Sequence, residues 1–146
     1  MRRRQILAAL PFALAAGAAT ASESPAKKEA AGQYVDLSPV ALPIVLNNRL
    51  INYVFVSIRI NLSASADATK MREKEPWFRD ALVRAAHRTP FTKSTNYTVV
   101  DDVRLKAALM REATAIVGAR NLASVTITSQ TPKQRSRLPR PPAAAG

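Results

Sequence analysis

The sequence contains no cysteine and a single histidine, His87. The first absence excludes disulfide frameworks, zinc–thiolate sites, c-type haem attachment and thiol nucleophiles. The second leaves His87 as the only imidazole open to a Ser-His-Asp arrangement. Glycine is scarce: Gly17, Gly32, Gly118 and Gly146 are the full set. No two lie close enough for a GxGxxG turn or a Walker-A loop, so the common phosphate cradles are missing. Acids number 10 against 22 bases. What remains is binding, assembly or structural work, with no cofactor and no metal expected. At 146 residues and 47% hydrophobic, the chain has the size and composition of one folded domain. The feature to explain is the net charge of +12.

Three of those charges open the chain. Arg2, Arg3 and Arg4 precede an apolar stretch from Ile6 to Ala19, and Ala19-Thr20-Ala21 supplies a small-x-small pattern. These are the basic, apolar and cleavage parts of a secretory signal peptide over residues 1–21, cut after Ala21. Arg3-Arg4-Gln5-Ile6-Leu7 also resembles a twin-arginine export core. The rival reading is an uncleaved anchor, although the stretch is short of the roughly 20 residues that cross a bilayer. A cysteine-free chain suits an oxidising periplasm and must be stable on its apolar core alone.

Loss of residues 1–21 leaves 19 bases against 10 acids, a net of +9. Residues 22–33 balance Lys27 and Lys28 against Glu23 and Glu29, have no apolar period, and read as a linker. Residues 131–146 carry Lys133, Arg135, Arg137 and Arg140, no acid, four prolines and one leucine. That composition cannot bury a core, so an extended or disordered basic tail is expected. Residues 34–130 hold 13 bases and 8 acids, a net of +5.

The middle reads as a small α+β domain. Tyr34 to Leu37 is a short extended piece ended by Ser38-Pro39. Val40 to Leu46 alternates Val40, Leu42, Ile44 and Leu46 on one face, and Pro43 confines that strand to a sheet edge. Asn47-Asn48 is a turn pair that tolerates positive φ. Leu50 to Leu62 gives the strongest strand pattern: Val54, Val56, Ile58, Ile60 and Leu62 point one way. Ser65 or Asp67 is placed to cap a helix from Ala68. Met71, Phe78, Leu82 and Ala85 form its stripe, widened by Trp77 and Ala81. Pro76 either kinks that helix or starts a second one. Asn96 to Val100 is a short strand or a connector. Asp101-Asp102 opens a helix through Val117, with Gly118 at its C-terminal cap. Leu122 to Gln130 returns to alternation. A small antiparallel sheet, hairpin plus C-terminal strand, packs on two main helices.

Individual residues have two readings. His87 near a helix end is expected to be structural, because nothing local supplies a nucleophile or acid beside it. Asp101 and Asp102 fit capping better than a metal site. Glu73 and Glu75 among Lys70, Arg72 and Lys74 read as a solvated helix face. Trp77 is either a core-edge aromatic or, with Arg79 and Arg84, an anchor for a protein partner. The tail cations give modest nonspecific attraction to anions. The tail lacks an aromatic to stack on bases, and an exported chain is not expected to meet nucleic acid. Pro139-Arg140-Pro141-Pro142 favours polyproline II and leaves a docking role open.

The order of these segments resembles the periplasmic domain of the FliL family, the flagellar basal-body-associated proteins. The residues that carry the likeness are Tyr34-Val35-Asp36-Leu37 and Tyr53-Val54-Phe55-Val56-Ser57-Ile58. Pro76-Trp77-Phe78-Arg79-Asp80-Ala81-Leu82, Leu105-Lys106-Ala107-Ala108-Leu109 and Val125-Thr126-Ile127 through Gln130 continue it. The resemblance implies a stomatin-like fold whose units assemble side by side. It also implies a non-enzymatic role in the bacterial envelope, among flagellar-motor proteins. Two features depart from that family: a signal-like segment replaces a membrane span, and a basic Pro-rich tail is added.

The expectation is therefore a periplasmic, non-enzymatic protein acting by protein–protein contact, with homo-oligomers and inner-membrane surface association among its implied states. The alternative is an exported basic protein that binds anionic envelope surfaces through its domain and tail.

Overall fold

A computed structural model describes residues 32–143; the signal segment with Ala19 and Ala21, and most of the linker, lie outside them. The architecture starts from β2 (Arg49–Leu62). Its alternation drives Val54, Val56, Ile58 and Ile60 completely into the core, each at most 1% exposed. β1 (Tyr34–Leu46) pairs with it antiparallel on one side and β5 (Leu122–Pro132) on the other, in the order β1-β2-β5. Asn47 (φ 48) and Asn48 (φ 59) form the two-residue turn between β1 and β2. Asparagine is among the few residues that accept positive φ at both positions.

β1 is one strand where the sequence suggested two pieces. A register shift between Leu37 and Val40 absorbs Ser38-Pro39, so the chain bulges and continues instead of stopping. Pro43 is at an edge, as its missing N–H requires.

The helices lie against the inner face of this sheet. α1 (Ala68–Glu73) is capped by Asp67, whose Oδ1 accepts the N–H groups of Thr69 and Lys70. Pro76 starts a new helix instead of kinking the old one: α2 (Glu75–Arg88) has it in its first turn, where no intrahelical donor is lost. α2 packs on β1 and on α3 (Asp102–Val117), and α3 packs under β5. Asp101 caps α3 through Arg104 N–H, and Gly118 (φ 85) ends it. Phe78, Leu82, Leu105 and Leu109 supply the helical half of the core.

β4 (Asn96–Val100) is a strand, not a connector. It pairs with a two-residue strand, β3 (Thr92–Lys93), that gives no local signal of its own. This second hairpin closes one end of the core with Phe91, Tyr97 and Val100. The fold is α+β: a three-stranded antiparallel sheet and a two-stranded one, packed with two main helices.

The expected boundary at residue 130 needs correction, while the tail beyond Pro132 has no helix or strand among the described residues. β5 runs on through Pro132, Lys133 N–H donates to Tyr53 C=O at 2.8 Å, and Leu138 packs against the core. Backbone hydrogen bonds and one leucine tie this part of the chain to the domain.

Candidate functional site

The two edges of the main sheet differ. Along β1, four positions have no free backbone donor. Pro39 and Pro43 have no N–H. Ser38 N–H donates to Glu75 Oε1 at 3.0 Å, and Val45 N–H donates to Thr92 Oγ1 at 2.9 Å. Thr92 O–H returns a bond to Val45 C=O at 2.9 Å. These positions obstruct strand pairing over residues 38–45 of the edge.

β5 is the opposite case. Its eleven residues, LASVTITSQTP, contain no charge and no proline before the last position. Register shifts leave Ala123 and Thr128 without a partner on β2, and both are exposed. Among the described residues, no hydrogen bond from outside the β2 ladder reaches the backbone of residues 123–129. Val125 and Ile127 face the core and hold the strand in register against Ile60 and Ile58. Ser124 and Thr126 accept bonds from Asn61 Nδ2 at 2.9 and 3.0 Å. The result is an uncharged strand edge with no strand paired to its outer side among the described residues.

The far end of β5 is anchored by a buried amide. Asn52, 4% exposed, is the one buried polar side chain among the described residues. Its Nδ2 donates to Tyr97 C=O and to Gln134 C=O, each at 3.0 Å. Its Oδ1 accepts from Tyr53 N–H at 2.9 Å and Gln134 N–H at 3.1 Å. Gln130 adds a bond from Val100 N–H to its Oε1 at 2.9 Å. A buried amide is tolerated only when its donors and acceptor are all used, and here they are.

The expected site residues fall into two groups that no hydrogen bond or ion pair joins among the described residues. Trp77 is 55% exposed, which sets it outside the core, with Lys74 Nζ 4.5 Å from its ring centre. Arg84 lies on the same face of α2, two turns on, and pairs with Asp80 at 3.1 Å. Arg79 lies on the other side, against Glu75 at 3.9 Å, close to the β1 bulge. Lys133, Arg135, Arg137 and Arg140 are all exposed. Lys133 stands over the Tyr53 ring, while Arg135 and Arg140 border the β3–β4 hairpin.

His87 is exposed, and its Nδ1 meets Val83 C=O at 2.8 Å, one helical turn back. Asp101 is engaged in capping, and Asp102 pairs with Lys106 at 3.8 Å. Among the described residues, no group of three His, Asp or Glu is placed to hold a metal ion.

Asn52 and the β5 edge are absent from the residues singled out in the sequence. Asn52 had a signal. It occupies the inward parity of β2, in line with Val54 and Val56, where a polar side chain has to find buried partners. No family model matches this chain, and no curated protein matches it in sequence.

Proposed function

We propose that this chain is a non-enzymatic protein of the bacterial cell envelope, related to FliL, that works through protein–protein contact. It is exported to the periplasm, associates with a second copy of itself through β5, and acts near the flagellar motor. The observation that supports contact through β5 is the asymmetry of the sheet: β1 is obstructed over residues 38–45, and β5 has no such obstruction among the described residues. An open edge gains most from another strand. The partner at that edge is a second copy because the strand is neutral. On a basic protein most self-contacts oppose like charges, whereas two β5 strands meeting about a two-fold axis do not. Trp77, Arg79 and Arg84 are left for envelope or motor partners.

Sedimentation velocity tests the contact. The mature chain is expected to sediment as a dimer, and A123K/T128K as a monomer with unchanged melting temperature, because both positions are exposed and unpaired. A monomeric wild type contradicts the contact. Deletion of the gene is expected to impair swimming and not growth; normal motility contradicts the motor placement.

A second reading is electrostatic attachment to anionic envelope surfaces. It is supported by the anchoring of Lys133 and Gln134 on β2, which holds the tail cations against the folded domain. Release from envelope fractions by moderate salt, and by R135A/R137A, favours it.

A further inference from the structure

A cleft of about 290 Å³ lies between the last turn of α2 and the first half of α3. Its lining includes the small side chains Ala85, Ala107 and Ala108, together with Thr89 and Phe91. Three arginines complete it. Arg88 comes from α2, and Arg104 and Arg111 come from α3. A separation of seven residues puts the latter two on one face, about 10 Å apart along the axis.

The charges around this cleft do not cancel. Arg88 Nη2 pairs with Glu112 Oε1 at 2.9 Å. Arg104 and Arg111 form no ion pair among the described residues. Of the acids close in sequence, Asp101 caps α3 by accepting the Arg104 backbone N–H, and Asp102 pairs with Lys106. Several other helix cations pair with an acid at helical spacing, among them Lys70–Asp67, Arg79–Glu75 and Arg84–Asp80, whereas Arg72 on α1 does not. The lining holds three arginines and no acid, and with Glu112 counted against Arg88 an excess of two positive charges surrounds the concave space. Guanidinium forks match the geometry of phosphate oxygens, and concavity concentrates their field.

We propose that this cleft binds a phosphate-type anion, presented either as free phosphate or as a phosphodiester lipid headgroup. The inference is independent of the contact through β5. It also concerns residues separate from the tail cations.

The test follows backbone amides by NMR during titration of the mature protein with inorganic phosphate at low ionic strength, against chloride at matched ionic strength. Saturable shifts are expected at Thr89, Arg104 and Ala108. R104A/R111A is expected to bind about tenfold more weakly or worse, since charge-assisted bonds are lost. R104K/R111K keeps the charge without the fork and is expected to fall between. Arg49→Ala, exposed on β2 and outside the cleft, is expected to bind like the wild type. Vesicles of phosphatidylglycerol in phosphatidylcholine separate the sources: competition with phosphate identifies a headgroup, and its absence identifies free phosphate. The proposal is overturned if chloride reproduces the shifts, or if folded R104A/R111A binds phosphate as tightly as the wild type.

Discussion

The side-chain amide of Asn52 and the backbone of Gln134 form a two-bonded pair. Asn52 Nδ2 donates to Gln134 C=O at 3.0 Å, and Asn52 Oδ1 accepts Gln134 N–H at 3.1 Å. The pair copies one rung of a β-ladder, with a side chain standing in for a peptide group. It carries the β2–β5 pairing beyond Pro132. Asn52→Ala leaves the Gln134 and Tyr53 N–H groups and two carbonyls without this partner. A loss of about 3 kcal/mol is expected in urea unfolding. Tryptic cleavage at Arg135 and Arg137 should accelerate, since the tail loses its anchor.

Phe78 tests the helix layer. It is fully buried and is the largest side chain in the helical half of the core. Phe78→Ala should cost about 3–5 kcal/mol, from lost transfer energy and the cavity left behind. Trp77→Ala, one residue away, should stay within about 1 kcal/mol because Trp77 is more than half exposed. Equal losses would contradict the orientation of α2.

Gly118 tests the end of α3. Its φ of 85° is one that side chains rarely adopt, while a Cβ there meets nothing within 4 Å. Gly118→Ala should therefore cost about 1–3 kcal/mol through the backbone alone. Urea unfolding of Gly118→Ala measures that loss.

Arg59 tests the outer face of the sheet. Its Nε and Nη2 reach Asp36 Oδ1 and Oδ2 at 2.7 and 3.0 Å, and its guanidinium lies 3.8 Å from the Tyr34 ring centre. The fork and the stacking both need a planar group, so Arg59→Lys should destabilise by about 1 kcal/mol. Part of that difference should fade in high salt, because Asp36 is half exposed.

Local patterns made most of the fold legible. The alternation from Val54 to Ile60, the Asn47-Asn48 turn, the Asp67 and Asp101 caps, and the edge position required by Pro43 all express short-range chemistry. Each is decided within a few residues of the chain. Features that depend on distant residues were not legible. Ser38-Pro39 looks like a stop until β2 is there to carry the strand across a bulge. β3 exists only because β4 folds onto it. The anchor at the start of the tail is not visible in composition, because Asn52 meets Gln134 from 82 residues away. The open edge of β5 has the same cause: whether a strand is central or peripheral depends on its neighbours in the sheet. The three arginines of the helix cleft meet only after α2 and α3 pack.

The central claim, contact between copies through β5, is tested most directly with single cysteines, since the natural chain has none. Cysteines placed one at a time at Ala123, Ser124, Thr126 and Thr128 are oxidised gently at low protein concentration. Ala115, exposed on α3, and Ala41, exposed on β1, serve as controls. Rapid disulfide-linked dimers at one or two of the β5 positions, and slow linking at both controls, are the predicted result. Linking at the β5 positions no faster than at Ala115 and Ala41 would contradict the account.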